Sequence, residues 1–133
     1  MSKQNVEIVG QVFDAFNAGD IDLILAFTHP EFVVEVPPEL SAEPDTYRGH
    51  DGMRRYWDSF WDVMQEIRFQ PERVWDAGDD VVVTMRISAK GRRTAIPVEQ
   101  RTYAVWSLRE HTVIRVRVFA SLSAALERVE LRN

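Results

Sequence analysis

The sequence predicts an α+β fold, because helical and strand patterns occupy different parts of the chain. Before about residue 65, apolar residues recur mainly at the spacing of amphipathic helices. After that point, apolar and polar residues alternate in four runs separated by turn residues. Helices followed by a sheet meander usually cover one face of that sheet. The 133 residues suffice for a single domain, spanning 1–133.

Two helices are predicted at the start of the chain. Residues 3–17 carry apolar residues at helical spacing: Val6, Val9, Phe13 and Phe16. Gly19 is a stop signal, and Asp20 can cap a second short helix that runs to about Phe27. Pro30 is expected to end this second helical unit.

A strand, a loop and a third helix follow. Residues 31–36 alternate as a strand. One face of this strand carries Phe32, Val34 and Val36, and the other carries Val33 and Glu35. Residues 37–47 are polar and contain proline, so a loop is predicted there. The next helix has a wide apolar stripe that suits core packing or a ligand surface: Met53, Tyr56, Trp57, Phe60, Trp61 and Met64.

The rest of the chain is predicted to form four strands and a short helix. The strands cover residues 66–76, 80–89, 95–108 and 112–120, and the helix covers residues 123–129. The turns between these strands, around Gly78, Gly91 and Glu110, suit hairpins.

Composition excludes several classes of function. The net charge of −5 comes from mixed signs without a basic patch, so no nucleic-acid partner is expected. The chain has no cysteine, and its three histidines are isolated, so neither a metal site nor a cysteine nucleophile is predicted, and no cofactor. No run reaches the roughly 18 apolar residues of a membrane span, and the start lacks a signal region. The expected location is the cytoplasm.

Two segments and the order of elements carry a resemblance to a known family. The segments are FNAGDID, at residues 16–22, and YRGHDG, at residues 47–52, and a long four-strand meander follows them. Over nearly the whole chain this order resembles the nuclear transport factor two-like superfamily, in its SnoaL-like (polyketide-cyclase-like) branch related to ketosteroid isomerases. The resemblance implies a cone-shaped, curved antiparallel sheet wrapped around the N-terminal helices, which is the cystatin-like α+β barrel. It also implies an apolar cavity and a homodimer formed through the outer sheet face.

The acids that relatives use for catalysis are missing at the matching positions. The isomerase tyrosine of the first helix falls at Val12, and the aspartate base before a proline falls at Val36. The protonated aspartate of the oxyanion site falls near Tyr103, and the acids of other branches fall near Val118 and Ser121. Valine cannot abstract a proton, so steroid isomerase activity is not expected.

Glu35 is the carboxylate nearest to the position of the family's base. Successive strand residues point to opposite faces, so a cavity-facing Val36 predicts that Glu35 faces outward, to solvent or a subunit contact. A bulge before Pro37 would reverse this orientation.

The candidate catalytic residues are Glu99, Arg101 and Tyr103, which alternate along one face of a strand. If that face lines the cavity, Tyr103 can donate to a substrate oxygen and Arg101 can bind an anion or polarise a carbonyl. Glu99 would then orient Arg101 or act as a base. The alternative is that the two charged residues form exposed ion pairs and Tyr103 only packs. If the Tyr103 face lines the cavity, the opposite face carries Trp106 outward, where a dimer partner would bury it.

The predicted ligand is a small hydrophobic molecule, aromatic or polycyclic, because the expected cavity walls are apolar and aromatic. The proposed wall residues are Phe13, Phe16, Phe32, Val36, Tyr47, Trp57, Trp61, Val116 and Val118. Three functions follow as alternatives. The first is ligand binding without catalysis. The second is a cofactor-independent isomerase, cyclase or hydro-lyase, and the third is a dimeric interaction module.

Overall fold

The computed structural model describes residues 2–36 and 46–129, and these residues form the predicted α+β architecture. The elements are α1 (Ser2–Ala18), α2 (Ile21–Ala26), β1 (Thr28–Glu35), β2 (Thr46–Arg48), α3 (Gly49–Val63), β3 (Met64–Ala77), β4 (Asp80–Gly91), β5 (Pro97–Arg109), β6 (Thr112–Phe119) and α4 (Leu122–Arg128). The predicted helices and the four-strand meander are confirmed, with boundaries shifted by at most three residues. Most of the predicted loop 37–47 lies outside the described residues.

The strands form one curved, open sheet in the order β2-β1-β6-β5-β4-β3. The meander from β3 to β6 is antiparallel, as predicted. However, β1 pairs with β6 in parallel, with Val34 opposite Val116, so this pairing departs from the predicted antiparallel arrangement. Alternation within β1 indicates which side is buried, but it carries no information about the direction of a neighbour. The edge strand β2 was not predicted, because three residues are too few to display a period.

The first two helices begin and end for local reasons. Gly19 has a φ of +69°, the left-handed conformation that glycine adopts easily, and it follows the last residue of α1. The Asp20 carboxylate then accepts a hydrogen bond from the Leu23 amide at 3.1 Å and caps α2. Pro30 does not end this unit as expected, because it lies inside β1. It is tolerated there since β2 pairs only with residues 33–35 and the β6 register shifts before Val33.

The sheet has an inner face, packed against helices α1 to α3, and an outer face. Inner-face residues of the main core are Phe32, Val34, Phe69, Val83, Trp106 and Val116. Outer-face residues, identified by their register, are Glu35, Trp75, Val82, Tyr103, Val105, Arg115 and Arg117. Helix α4 packs on the outer face, where Ala125 buries Val82 and Val105 completely. Both faces of the sheet are therefore partly covered by helices.

The predicted faces of β5 were inverted. Trp106 is 2% exposed, and its ring lies 5.0 Å from that of Phe13 in α1. Ala104 and Leu108 are buried on the same inner face. Trp106 therefore needs no dimer partner to bury it. The prediction treated the Trp106 face as uncovered, whereas the aromatic residues of α1 pack directly onto it.

No helix in the described parts of the chain is long and apolar enough to cross a membrane.

Candidate functional site

The predicted wall residues divide into a packed core and a partly exposed group. Phe13, Phe16, Phe32 and Val116 are at most 1% exposed and belong to the main core. Val36, Tyr47, Trp57, Trp61 and Val118 are partly buried and pack against that core. The first group therefore supports the site from behind, and the second group is the part that a ligand could reach.

Five side chains of β2 and α3 form an aromatic rim beside the core: Tyr47, Tyr56, Trp57, Phe60 and Trp61. The α3 pairs arise from helical spacing, which brings residues four apart onto one face. Tyr56 and Phe60 lie 5.2 Å apart between ring centroids, and Trp57 and Trp61 lie 5.6 Å apart. Tyr47 joins the rim from β2, at 5.6 Å from Tyr56. The ring contacts of the rim therefore form two sets, one of Tyr47, Tyr56 and Phe60 and one of Trp57 and Trp61.

The rim also contains polar groups that face an apolar environment. Trp57 uses its Nε1 to donate to the Phe16 carbonyl at 3.4 Å. The Trp61 Nε1 is buried as well, but it has no hydrogen-bond partner among residues 2–36 and 46–129. A buried donor without a partner costs about 1–3 kcal/mol. Trp61 therefore offers a hydrogen bond that an acceptor atom of a ligand could take.

Tyr56 was placed in the apolar stripe by the sequence, but not recognised as a candidate site residue. Burial raises the pKa of its phenol well above the ordinary value, and the nearby Tyr47 raises it further. The phenol therefore stays protonated at neutral pH and remains a hydrogen-bond donor. Its position one helical turn from Phe60 was visible in the sequence, but its burial was not.

The buried part of the described chain contains no carboxylate. Its buried polar residues are Thr28 and Thr84, and every other buried residue is apolar. Val12, at the position of the isomerase tyrosine, is 1% exposed within the main core. The core beside the aromatic rim therefore has hydrogen-bond donors but, among the described residues, no acid that could act as a general base.

The predicted catalytic residues Glu99, Arg101 and Tyr103 lie on the outer face, not beside the aromatic rim. Arg101 and Glu99 are exposed. Arg101 pairs with Glu72, through Nε to Oε1 at 2.8 Å and Nη2 to Oε2 at 3.3 Å, rather than with Glu99. This hydrogen bond lowers the pKa of Glu72. Tyr103 packs with the cluster beneath α4. These three side chains therefore do not lie under the N-terminal helices, and their positions match the alternative in which the charged residues are exposed and Tyr103 packs.

Glu35 points to the outer face, as the alternation along β1 predicted. Its neighbours Phe32 and Val34 are fully buried on the inner face, whereas the Glu35 side chain is 45% exposed. Both Glu35 carboxylate oxygens accept from Nη2 of Arg115, at 2.8 and 2.9 Å. Glu35 is therefore an ion-paired outer residue.

The histidines have local structural roles. His50 lies at hydrogen-bond distance from the Thr28 carbonyl, with its Nε2 2.7 Å away. His29 accepts a hydrogen bond from the Glu31 amide through Nδ1, at 2.9 Å. In the described ranges, no group of three or more acidic or histidine side chains is arranged to bind a metal ion.

A family model and solved structures match the chain. The model of the SnoaL-like domain matches residues 9–117. TerC, crystallised with polyporic acid, is 22% identical, with a TM-score of 0.78 over 96% of this chain and 99% of its own. An NTF2-like protein from Burkholderia xenovorans is 23% identical, with a TM-score of 0.76 over 97% of both chains. A protein with the ketosteroid isomerase-like fold from Catenulispora acidiphila, in complex with trimethylamine, is 14% identical; its TM-score is 0.73 over 95% of this chain and 94% of its own. Among curated protein sequences, none matches this chain.

Proposed function

Because the chain belongs to the SnoaL-like domain family, we propose that it binds a small hydrophobic molecule, aromatic or polycyclic, in an apolar cavity beside the aromatic rim. The observation that carries this proposal is the buried Trp61 Nε1, which has no partner within the described residues. A carbonyl or hydroxyl oxygen of the ligand would accept this hydrogen bond, and its rings would pack on the rim.

The chemistry of the rim supports a neutral, oxygen-bearing ligand. Its polar atoms include the donors of Trp61 and the protonated Tyr56. An anion buried there would need a cation, but the guanidinium of Arg55 lies over the Tyr47 ring at 5.2 Å, and that of Arg92 donates to the Trp61 carbonyl at 2.9 Å. The aromatic surface favours planar rings over flexible chains, because ring stacking adds about 0.5–1.5 kcal/mol per pair beyond area burial.

Thermal stabilisation and fluorescence titration test the binding proposal. Polyporic acid, the compound crystallised with TerC, and a panel of polycyclic ketones serve as probes. A ligand at a hundred times its dissociation constant should stabilise the fold by about 2.7 kcal/mol. Trp61→Phe keeps an aromatic ring but removes the Nε1 donor, so it should weaken binding about 2- to 12-fold, by one neutral hydrogen bond. No stabilisation by any probe at saturation would overturn the proposal.

Trp75→Phe is the matched control, because it makes the same chemical change on the outer face, where Trp75 packs with the cluster beneath α4. It should leave the dissociation constants unchanged. Equal losses in the two variants would mean that the ligand does not contact Trp61.

A second candidate function is cofactor-independent isomerisation, cyclisation or hydro-lyase chemistry on the same ligand class. The protonated phenol of Tyr56 and the free donor of Trp61 favour it, since two donors beside an apolar site can stabilise an enolate oxygen. Because the described interior contains no base, solvent would remove the proton.

Deuterium exchange at the α-carbon of a bound polycyclic ketone, followed by NMR, tests this candidate. Exchange should accelerate with the wild type and fall at least about tenfold in Tyr56→Phe. Equal rates with and without protein would reject it.

We also propose a homodimer formed through the part of the outer face that α4 leaves uncovered. Trp75 packs against the cluster beneath α4 but is only half-buried, so part of its ring is open to a partner, and it stacks with Arg73 at 4.5 Å. The Arg86 Nε is buried without a hydrogen-bond partner among the described residues, so a second subunit would supply one. Sedimentation equilibrium should give a dimer for the wild type and a monomer for Trp75→Glu. A wild-type protein that stays monomeric at about 100 μM, where a dimer with a dissociation constant of about 1 μM would be largely formed, would reject this proposal and the interaction-module alternative.

A further inference from the structure

Arg117 occupies an unusual place on the outer face. It lies in a row across the sheet between Val105 of β5 and Glu35 of β1. Val105 is fully buried, and the Arg117 side chain runs beside the cluster covered by α4. The Arg117 Nε is buried and has no hydrogen-bond partner within the described ranges. A charged donor without a partner is costly to bury, so Arg117 has capacity for an acceptor.

The surroundings of Arg117 carry excess positive charge. Burial lowers the pKa of Arg117, and the positive charges of Arg115 and Arg128 lower it further. Glu35 and Asp80 act in the opposite direction, but each already has a hydrogen-bond partner. Both Glu35 oxygens accept from Arg115, and Asp80 accepts from the Ser107 hydroxyl at 2.5 Å. Neither carboxylate is hydrogen-bonded to Arg117.

A pocket of about 230 Å³ opens beside this arginine. It is lined by Glu35, Val36, Arg117, Val118, Phe119 and Arg128. Glu35 ends β1 and Val36 follows it, the next three lining residues are the last three of β6, and Arg128 ends α4. Arg117 and Arg128 supply positive charge, the Glu35 carboxylate is paired with Arg115, and Phe119 and the two valines supply an apolar surface.

Helix α4 holds Arg128 in place at the pocket. The Ser121 hydroxyl accepts from the Ala124 amide at 3.2 Å and caps the helix at its start. Ala125 is completely buried against the sheet, in the cluster with Val82 and Val105. Helix α4 is therefore fixed on the sheet, and this places Arg128 at the same pocket as Arg117.

We propose that this outer pocket binds a small carboxylate with an apolar body, of about the size of benzoate. The carboxylate oxygens accept hydrogen bonds from Arg117 and Arg128, whose planar guanidinium groups match carboxylate geometry. The apolar body packs on Phe119, Val36 and Val118. The cationic residues of the site lie on the face of the sheet opposite the aromatic rim, although Val36 and Val118 also pack against the main core. The site does not depend on the function proposed for the rim.

Titration with benzoate by NMR or calorimetry tests this assignment on the wild-type protein. Saturable binding is expected, weaker at high salt because the attraction is partly electrostatic. Benzamide has nearly the same shape but no charge, so it should bind at least about tenfold more weakly, the factor that corresponds to 1.4 kcal/mol. Absence of saturable benzoate binding, or equal binding of benzamide, would overturn the proposal.

Three variants locate the site. Arg128→Gln changes an exposed residue near the end of α4 and should weaken benzoate binding at least about tenfold without loss of fold. Arg101→Gln is the matched control, because it removes an outer-face arginine that pairs with Glu72 and does not line the pocket. It should leave benzoate binding unchanged. Trp61→Phe should also leave it unchanged; a loss in that variant, or equal losses for Arg101→Gln and Arg128→Gln, would contradict the assignment.

Discussion

Trp106 of β5 packs edge-on against Phe13 of α1, with ring centroids 5.0 Å apart and an angle of 64° between the planes. Phe16 approaches the same indole at 6.5 Å, so two turns of α1 contact one residue of the sheet. This contact joins the first helix to the centre of the meander. It also determines which face of β5 is the inner one.

Trp106→Ala is expected to destabilise the protein by about 3–5 kcal/mol, the loss typical of a fully buried large aromatic residue. Trp75→Ala is the control on the outer face, where the indole is half-buried beside Arg73. It should cost clearly less, about 1–2 kcal/mol. Urea denaturation monitored by far-UV circular dichroism measures both values. A greater loss for Trp75→Ala would contradict the assigned faces.

Periodicity was sufficient to predict most elements of the fold. The helical spacing of Val9, Phe13 and Phe16 corresponds to α1, whose buried face contains these residues. The alternation around Glu35 correctly separated the two faces of β1. These predictions succeeded because each depends on burial along one element, which the sequence of that element records.

The faces of β5 could not be predicted in the same way. Alternation divides Arg101 and Tyr103 from Ala104 and Trp106, but it does not say which set meets the helices. That choice depends on contacts with α1, far away in sequence. Covering of the outer face by α4 adds a second apolar environment, which accommodates Tyr103. The candidate site therefore lies at the aromatic rim and not on β5.

Gly52 permits the close contact between α3 and β2. A Cβ atom at this position would lie 2.6 Å from the backbone carbonyl carbon of Tyr47, which is too close for any pair of carbon atoms. Gly52→Ala should therefore destabilise the protein by about 1–3 kcal/mol and displace Tyr47 from the rim. Ligand binding at the rim should weaken in parallel.

Gly10→Ala is the matched control for Gly52→Ala. Gly10 lies inside α1, and a Cβ atom there would meet nothing within 4 Å. Alanine should stabilise the helix by about 0.8–1 kcal/mol, because glycine is the poorer helix former. Thermal unfolding of both variants beside the wild type would measure these opposite shifts. Similar melting temperatures for the two variants would contradict the crowding at Gly52.

The raised pKa of Tyr56 predicts a loss of stability at alkaline pH. Burial raises the pKa of this phenol in the folded state, whereas in the unfolded state it ionises near the ordinary value of about 10. Above that pH the unfolded chain has released a proton that the folded protein retains. The free energy of unfolding should therefore fall as pH rises, by up to about 1.4 kcal/mol per pH unit for this group.

Tyr56→Phe removes this titration and leaves the aromatic packing with Phe60 in place. Between pH 9 and pH 11, its free energy of unfolding should decrease less steeply than that of the wild type. Urea denaturation at several pH values measures the two slopes. Identical slopes would mean that the Tyr56 phenol ionises as readily in the folded state as in the unfolded chain.

Asn17 joins α1 to β3 through two hydrogen bonds with one residue. Its Nδ2 donates to the Phe69 carbonyl at 2.8 Å, and its Oδ1 accepts from the Phe69 amide at 2.7 Å. The Asn17 side chain thus makes the two backbone hydrogen bonds that a neighbouring strand would otherwise make with Phe69 of the edge strand β3.

Asn17→Ala would leave both Phe69 backbone groups without this partner and should destabilise the protein by about 1–3 kcal/mol. Asn17→Asp retains the acceptor but loses the donor, so it should cost an intermediate amount near neutral pH. Asp14→Asn is the control: it exchanges a carboxylate and an amide at an exposed position of the same helix.

Hydrogen exchange at the Phe69 amide provides a local readout. Exchange there should accelerate in Asn17→Ala by more than the global loss of stability explains. Exchange that follows global stability alone would contradict a direct role of Asn17 at this strand.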